Sequence, residues 1–309
     1  ANPFAGLVAD KAGNMYGTTN SGGTCNNDDG FGTVYKLAPD GSETVLYAFK
    51  GGRDGSDPVG SLILGKNGRL YGASEFGGDM AGCGGGGCGT VFEVVPKGKE
   101  SVLHAFESGG DGAEPVGGVI MDKAGNLYGT TSRGGGTGCS GDGCGTVFEL
   151  APDGTETILH AFQGGSDGEL PQNGVVEDSA GNLYGTTGAG GTGAVGTVFE
   201  VTPDGAETVL YSFQPGPGGA IPTSVILDKA GNLYGTTYYG GSTGCKGAGC
   251  GVVYELAPDG TETVLNVFDK SRFGRVPSGG LLLGKHGDLY GTTGGGGDDD
   301  NGVVFELKN

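Results

Sequence analysis

Six cysteines stand in three pairs, each with four residues between its members: Cys83 with Cys88, Cys139 with Cys144, and Cys245 with Cys250. Each pair sits in a glycine-rich loop, so a short local disulfide is the expected chemistry, and it points to an oxidising compartment. Zinc in these loops would want histidine or further cysteine beside each pair, and the three histidines of the chain lie elsewhere. Cys25 stands where the first member of a further pair would, with Gly30 in the second position. It reads as an inert thiol or an intermolecular crosslink.

Carboxylates supply the second kind of candidate. Asp54, Asp111 and Asp167 occupy equivalent connections, followed in two of them by Asp57 and Glu114. If they converge, they offer the several hard oxygen ligands that calcium prefers. The competing role is local, because each is followed by glycine and Asp-Gly is itself a turn signal. A second acidic group comprises Asn26, Asn27, Asp28 and Asp29 near one end and Asp298, Asp299, Asp300 and Asn301 near the other. Calcium bridging these two runs would join the first and last repeats, against the alternative of solvated acidic loops. Neither run has the spacing of an EF-hand loop.

Aromatic side chains in variable loops supply the third. The chain has no tryptophan, and Tyr238, Tyr239, Phe76 and Phe31 are the rings whose position suggests stacking on a sugar face, with a glycan as partner. His104 and His160 recur where other repeats carry Tyr47 and Tyr211, so they read as packed or exposed strand residues rather than ligands or general bases. His286 falls in a hairpin turn. No nucleophile elbow, phosphate loop or zinc-helix motif occurs, and no catalytic residue is assigned.

Composition narrows the partners. Thirty-six acidic against 17 basic residues leave a formal charge of −19, which repels nucleic acid and anionic membrane surfaces. No run of eighteen apolar residues offers membrane insertion. The first residues, Ala1-Asn2-Pro3-Phe4, lack the basic and apolar regions of a signal peptide, so any export signal is expected to have been removed. With 74 glycines and 35% hydrophobic residues, the chain must fold with many tight turns, and its glycines follow no collagen period.

The elements that carry these residues repeat. A Gly-Asn-Leu-Tyr-Gly-Thr-Thr-like segment places tyrosines at Tyr16, Tyr71, Tyr128, Tyr184, Tyr234 and Tyr290, at spacings of 55, 57, 56, 50 and 56 residues. In the third repeat, four strand-length runs span residues 118–121, 127–131, 146–150 and 156–162, separated by hairpin signals such as Pro152-Asp153-Gly154-Thr155. A four-stranded antiparallel unit repeated six times predicts an all-β fold, a six-bladed β-propeller in one domain. The approximate repeats are 1–54, 55–111, 112–167, 168–218, 219–273 and 274–309. Leu127, Tyr128, Val147, Phe148, Leu159 and Phe162 are expected to pack between blades.

The order Pro-x-Gly-Gly-Leu, Asp-x-x-Gly-Asn-Leu-Tyr-Gly-Thr-Thr, Gly-Thr-Val-Phe-Glu-Leu, Pro-Asp-Gly-x-Glu-Thr-Val-Leu resembles the GloVer tandem repeats of bacterial surface proteins over essentially the whole chain. That resemblance implies an exported protein and no particular activity. The strand order is also similar to the NHL propeller repeat, which implies that the Gly-Leu run lies innermost and the Thr-Val-Leu run outermost.

The fourth strand is found five times, starting near Thr44, Ser101, Thr157, Thr208 and Thr263, so the last blade is expected to be one strand short. A bare edge invites pairing. Three explanations stand open: a tolerated three-stranded blade, completion by upstream residues, or completion by a neighbouring molecule, giving a homo-oligomer or filament. The expected function is therefore a secreted or cell-surface structural or adhesive protein without enzymatic activity. A carbohydrate-binding module on the loop face is one alternative, and a propeller lyase or hydrolase is another.

Overall fold

The computed structural model describes residues 2–3, 5–23, 30–269 and 274–308. The fold is the expected all-β, six-bladed β-propeller, with no α-helix among the described residues and therefore no helix able to cross a membrane. Two compact units divide the chain, Ala1–Phe162 and Gln163–Asn309, and each contains three blades.

Blade three shows how the sequence makes a blade. Its strands Ile120–Met121, Leu127–Arg133, Thr146–Leu150 and Glu156–Ala161 pair antiparallel in chain order. The first is shorter than expected, since Gly118 turns into the left-handed region at φ 66°. A further segment, Ala113–Pro115, pairs with the far end of the second strand, Ala113 opposite Arg133 and Pro115 opposite Thr131. Those residues were expected in a connection, because a proline preceded by a left-handed Glu114 (φ 56°) carries no strand signature. In blade five the two pieces fuse into Ala220–Leu227, with a bulge between Pro222 and Val225. Blade six has only Leu282–Leu283, Leu289–Thr292 and Val304–Leu307 among the described residues, one strand fewer than the others.

The Asp-x-x-Gly-Asn-Leu-Tyr signature is a turn lock. Asp122 Oδ1 accepts the backbone N–H of Gly125 and Asn126, while Oδ2 accepts Asn126 Nδ2 and, at 3.4 Å, the Tyr128 hydroxyl. Asp10, Asp178 and Asp228 accept the corresponding asparagine amides in their own blades. Hydroxyl pairs then tie the second strand to the third: Thr19 to Thr33, Ser74 to Thr90, Thr131 to Thr146 and Thr187 to Thr197, each at 2.8–2.9 Å and buried.

Blades pack through aromatic rings. Phe106, closing the fourth strand of blade two, meets Phe148 of blade three edge-on at 5.3 Å, and Phe49 meets Phe92 at 5.1 Å in the same unit. In the other unit Phe213 meets Tyr254 and Phe268 meets Phe305, each at 5.1 Å. Leu127, Val147, Phe148 and Phe162 are buried as expected, whereas Tyr128 and Leu159 are only half-buried. The Tyr128 hydroxyl needs the turn aspartate, which draws the ring toward the rim.

The three cysteine pairs are disulfides. Each closes a loop that folds back on the strand it leaves: in blade three, Gly143 N–H and Gly145 N–H bond to the carbonyls of Gly138 and Gly134. Gly143 sits at φ 76°, and a Cβ there would lie 2.0 Å from Gly134 O. Gly141 is also left-handed, at φ 105°, but has open space around it. Gly141→Ala is therefore expected to cost about 1 kcal/mol, the conformational strain alone. Gly143→Ala is expected to cost at least about 3 kcal/mol, because the backbone must move as well. Urea unfolding of the two variants measures the difference.

Candidate functional site

At three of the four blade boundaries within a unit, the fourth strand presents a tyrosine or histidine two residues before its buried phenylalanine, while Asn266 stands there between blades five and six. Seven residues further on stands the aspartate of the connection. The glutamate that opens the next fourth strand completes a cluster. In the first unit these are Tyr47, Asp54 and Glu100, then His104, Asp111 and Glu156. In the second, Asp167 faces Glu207, and Tyr211 faces Glu262, with Gly218 at the position of the aspartate.

The aspartates take their local role. Asp54 Oδ2 accepts the Tyr47 hydroxyl at 2.7 Å and Lys50 N–H at 3.0 Å. Asp111 Oδ2 accepts Glu107 N–H at 2.6 Å, and Asp167 Oδ2 accepts Gln163 N–H at 2.5 Å. Asp54 and Asp111 head separate clusters rather than one calcium site. Asp57 and Glu114 flank Glu75, whose carboxyl is pushed up by burial and then by those two charges, and Glu114 is paired with Arg133 at 3.0 Å.

Burial and the neighbouring aspartate push Glu100 up to about 7, Glu156 up to about 8 and Glu207 up to about 7. Burial also pushes Asp111 upward, but the contacts from His104, Glu156 and Glu107 N–H outweigh it and hold this carboxyl below its ordinary value. Each of these glutamates thus keeps its proton to higher pH than an ordinary carboxyl. The sequence reading missed these glutamates, since Glu-Thr-Ile-Leu looks like an ordinary strand start. The constant seven-residue step from Tyr47, His104 and His160 to aspartate was the available signal.

A second feature lies in the second unit. Tyr238 and Tyr239 end the second strand of blade five, 36% and 37% exposed, with ring centroids 5.0 Å apart at 73°. They open on a cleft of about 750 Å³ whose other walls include Cys245, Lys246, Arg275 and Asp300. Arg275 grips Asp300 with two bonds, Nε to Oδ1 at 3.1 Å and Nη2 to Oδ2 at 2.7 Å, and Gly296 N–H adds a third to Oδ1. The arginine holds the Asp300 carboxyl below its ordinary range. Asp300 is therefore committed to an ion pair, while Asp298 and Asp299 are exposed. Asp28 and Asp29, with Asn26, Asn27 and Cys25, lie outside the described residues. Phe76 is half-buried and pairs with Ser56 at the end of its strand, and the Phe31 ring packs on Gly51. Arg275 was not anticipated, because a lone arginine beside a proline segment carries no pattern.

The sequence profile of the Gloeobacter/Verrucomicrobia repeat matches residues 1–142 and again residues 136–309. No curated protein matches the chain. Among solved structures, a luciferin-regenerating enzyme is 14% identical with a TM-score of 0.58, over 100% of this chain and 92% of that one. A protein of unknown function from Bacteroides thetaiotaomicron is 15% identical with a TM-score of 0.59, over 99% and 69%. A gluconolactonase from Xanthomonas campestris is 16% identical with a TM-score of 0.49, over 84% and 74%. These likenesses concern the fold.

The raised glutamates give a pH dependence. Because the folded-state values of Glu100, Glu156 and Glu207 lie above that of an unfolded glutamate, their stabilising contribution is complete below about pH 4.5 and is lost as pH rises through 7–8. The melting temperature is expected to fall between pH 5 and pH 9. Glu156→Gln, whose amide keeps donating to Asp111 without titrating, should flatten that slope and raise melting at pH 9 by about 2 °C. Calorimetry across the range checks both.

Proposed function

The chain belongs to the Gloeobacter/Verrucomicrobia repeat family, and from that premise we propose that it is an extracellular adhesive module that binds carbohydrate in the cleft of blades five and six. The observation that carries this reading is the pair of exposed tyrosines facing a bidentate Arg275–Asp300 pair across one opening. Sugar rings present apolar C–H faces that stack on tyrosine, and their hydroxyls need fixed donors and acceptors, which the guanidinium, the carboxylate and Lys246 supply. A volume of about 750 Å³ falls in the usual range for a small-ligand site. The Cys245–Cys250 bridge holds one wall in place before a ligand arrives, which lowers the ordering cost of binding. Three disulfides support an oxidising, extracellular location.

A glycan array followed by titration calorimetry tests the reading. The chain is expected to retain one class of glycan, and Tyr238→Ala with Tyr239→Ala to weaken it at least ~10-fold without altering the melting temperature. Arg275→Ala should do the same. An empty array, or affinity untouched by the tyrosine variant, overturns the proposal.

A second reading rests on the edge of blade six. The strand Val304–Leu307 is paired on one side only among the described residues, Val304 is 79% exposed and Leu282 is 68% exposed. In the other five blades that edge receives a fourth strand of the Glu-Thr-Val-Leu type, so a second copy donating such a strand is the occupant that fits. Electron microscopy is expected to show filaments or ordered oligomers that a peptide of residues 156–162 disperses. Isolated particles unaffected by the peptide would remove this reading.

A further inference from the structure

Three electron-rich atoms converge where blades two and three meet: the imidazole of His104 and one oxygen each of Asp111 and Glu156, all within 4.8 Å of one another. His104 Nε2 lies 3.2 Å from Asp111 Oδ1, yet it is buried and makes no hydrogen bond. Glu156 Oε1 is likewise buried without a partner. One imidazole nitrogen and two carboxyl oxygens thus face a common point, a donor set of the kind a zinc-class cation takes up.

The neighbouring cluster shows what is different here. In Tyr47, Asp54 and Glu100 the phenol donates its own proton to Asp54 at 2.7 Å. Histidine at the equivalent position replaces the phenol by an imidazole, which can offer a ring nitrogen to a metal ion. The histidine is also held in place: its ring meets Phe106 edge-on at 4.8 Å, and the second oxygen of Asp111 is occupied by Glu107 N–H at 2.6 Å. Ligands around a tetrahedral zinc stand about 3.3 Å apart, so the 3.2 Å edge between Nε2 and Oδ1 already has the right length. The side chains of His104 and Asp111 remain 17% and 22% exposed, so the cluster lies close to the surface.

We propose that His104, Asp111 and Glu156 form a binding site for a divalent transition cation of the zinc class, with one nitrogen and two oxygen ligands from the protein. The site is separate from the tyrosine cleft, and the Tyr47 cluster is its internal control.

The test is equilibrium dialysis of the full chain, stripped with chelator, against zinc alone at pH 8, with bound metal counted by mass spectrometry. His104→Tyr copies the arrangement already present at Tyr47 and should fold. It is expected to bind one zinc fewer than the parent chain while melting at the parent temperature in chelator. Glu156→Gln is expected to weaken that same equivalent at least ~100-fold, more than the loss of an outer-shell group would cause. Equal stoichiometry in parent and His104→Tyr overturns the proposal. So does calcium that binds the parent as tightly as zinc and is retained in His104→Tyr, which would mark a carboxylate site indifferent to the imidazole.

Discussion

One backbone hydrogen bond sets how a blade meets the next. The residue before each entering proline donates its N–H to a carbonyl in the loop of the preceding blade: Asp57 to Phe31, Glu114 to Cys88, Ile221 to Val195 and Val276 to Cys250, at 2.7–3.0 Å. All four donors are left-handed, with φ between 53° and 57°. That conformation is unfavourable for residues with a side chain, and unfavourable again before proline. It persists because the surroundings fix it from both sides. Pro58, Pro115 and Pro222 pair into the sheets of their own blades, and the Cδ of these prolines and of Pro277 lies 2.4–2.6 Å from where a Cβ on Gly32, Gly89, Gly196 or Gly251 would stand. Those glycines open the third strands, and their carbonyls accept the N–H of the closing phenylalanines Phe49, Phe106, Phe213 and Phe268. Strand pairing, blade contact and aromatic packing thus share a few atoms, and the disulfides anchor the carbonyl itself at Cys88 and Cys250.

The carboxyl clusters follow from this joint. With the entering chain pinned, the aspartate three residues before the left-handed position is brought beside the glutamate of the next fourth strand. Two carboxyls in a half-buried place cannot both ionise cheaply, so the glutamate of each pair is pushed above its ordinary range. The protein carries a charge of −19, and discharging these pairs removes repulsion where packing is tightest. The same economy leaves the pair open to any cation that competes for the proton, which is why the identity of the third member, tyrosine or histidine, decides the chemistry.

Much of the fold was legible because the repeat states it six times. Asp-x-x-Gly-Asn announced a turn whose aspartate caps the loop amides, Gly-Thr-Val-Phe announced a strand whose glycine must be bare, and cysteines five apart could hardly bridge anywhere else. That blade six shows three strands among the described residues was legible for the same reason. What escaped were features made by contact across repeats. Ala113–Pro115 pairs with a strand although its own residues argue against it, since the partner is the far end of the second strand and not a hairpin neighbour. Glu156 looks like a solvent-facing strand residue until Asp111 arrives from another blade.

The tyrosine cleft arises where the repeat departs from itself. Tyr238 and Tyr239 stand at the strand positions of Ser132 and Arg133 in blade three, where Arg133 is spent on Glu114. Arg275 takes the register position of Ala113, bridging to Gly295 as Ala113 does to Arg133, and the glycines at 294–297 remove side chains that would fill the space. Large rings were added on one wall, a fixed charge on the other, and bulk was deleted between them. Each change alone is a tolerable variation at a strand end, outside the hydrogen bonds that hold the blades together. Their coincidence in one opening is what a scaffold with an over-determined joint permits: the ends of its strands are free to vary without disturbing how the blades are held.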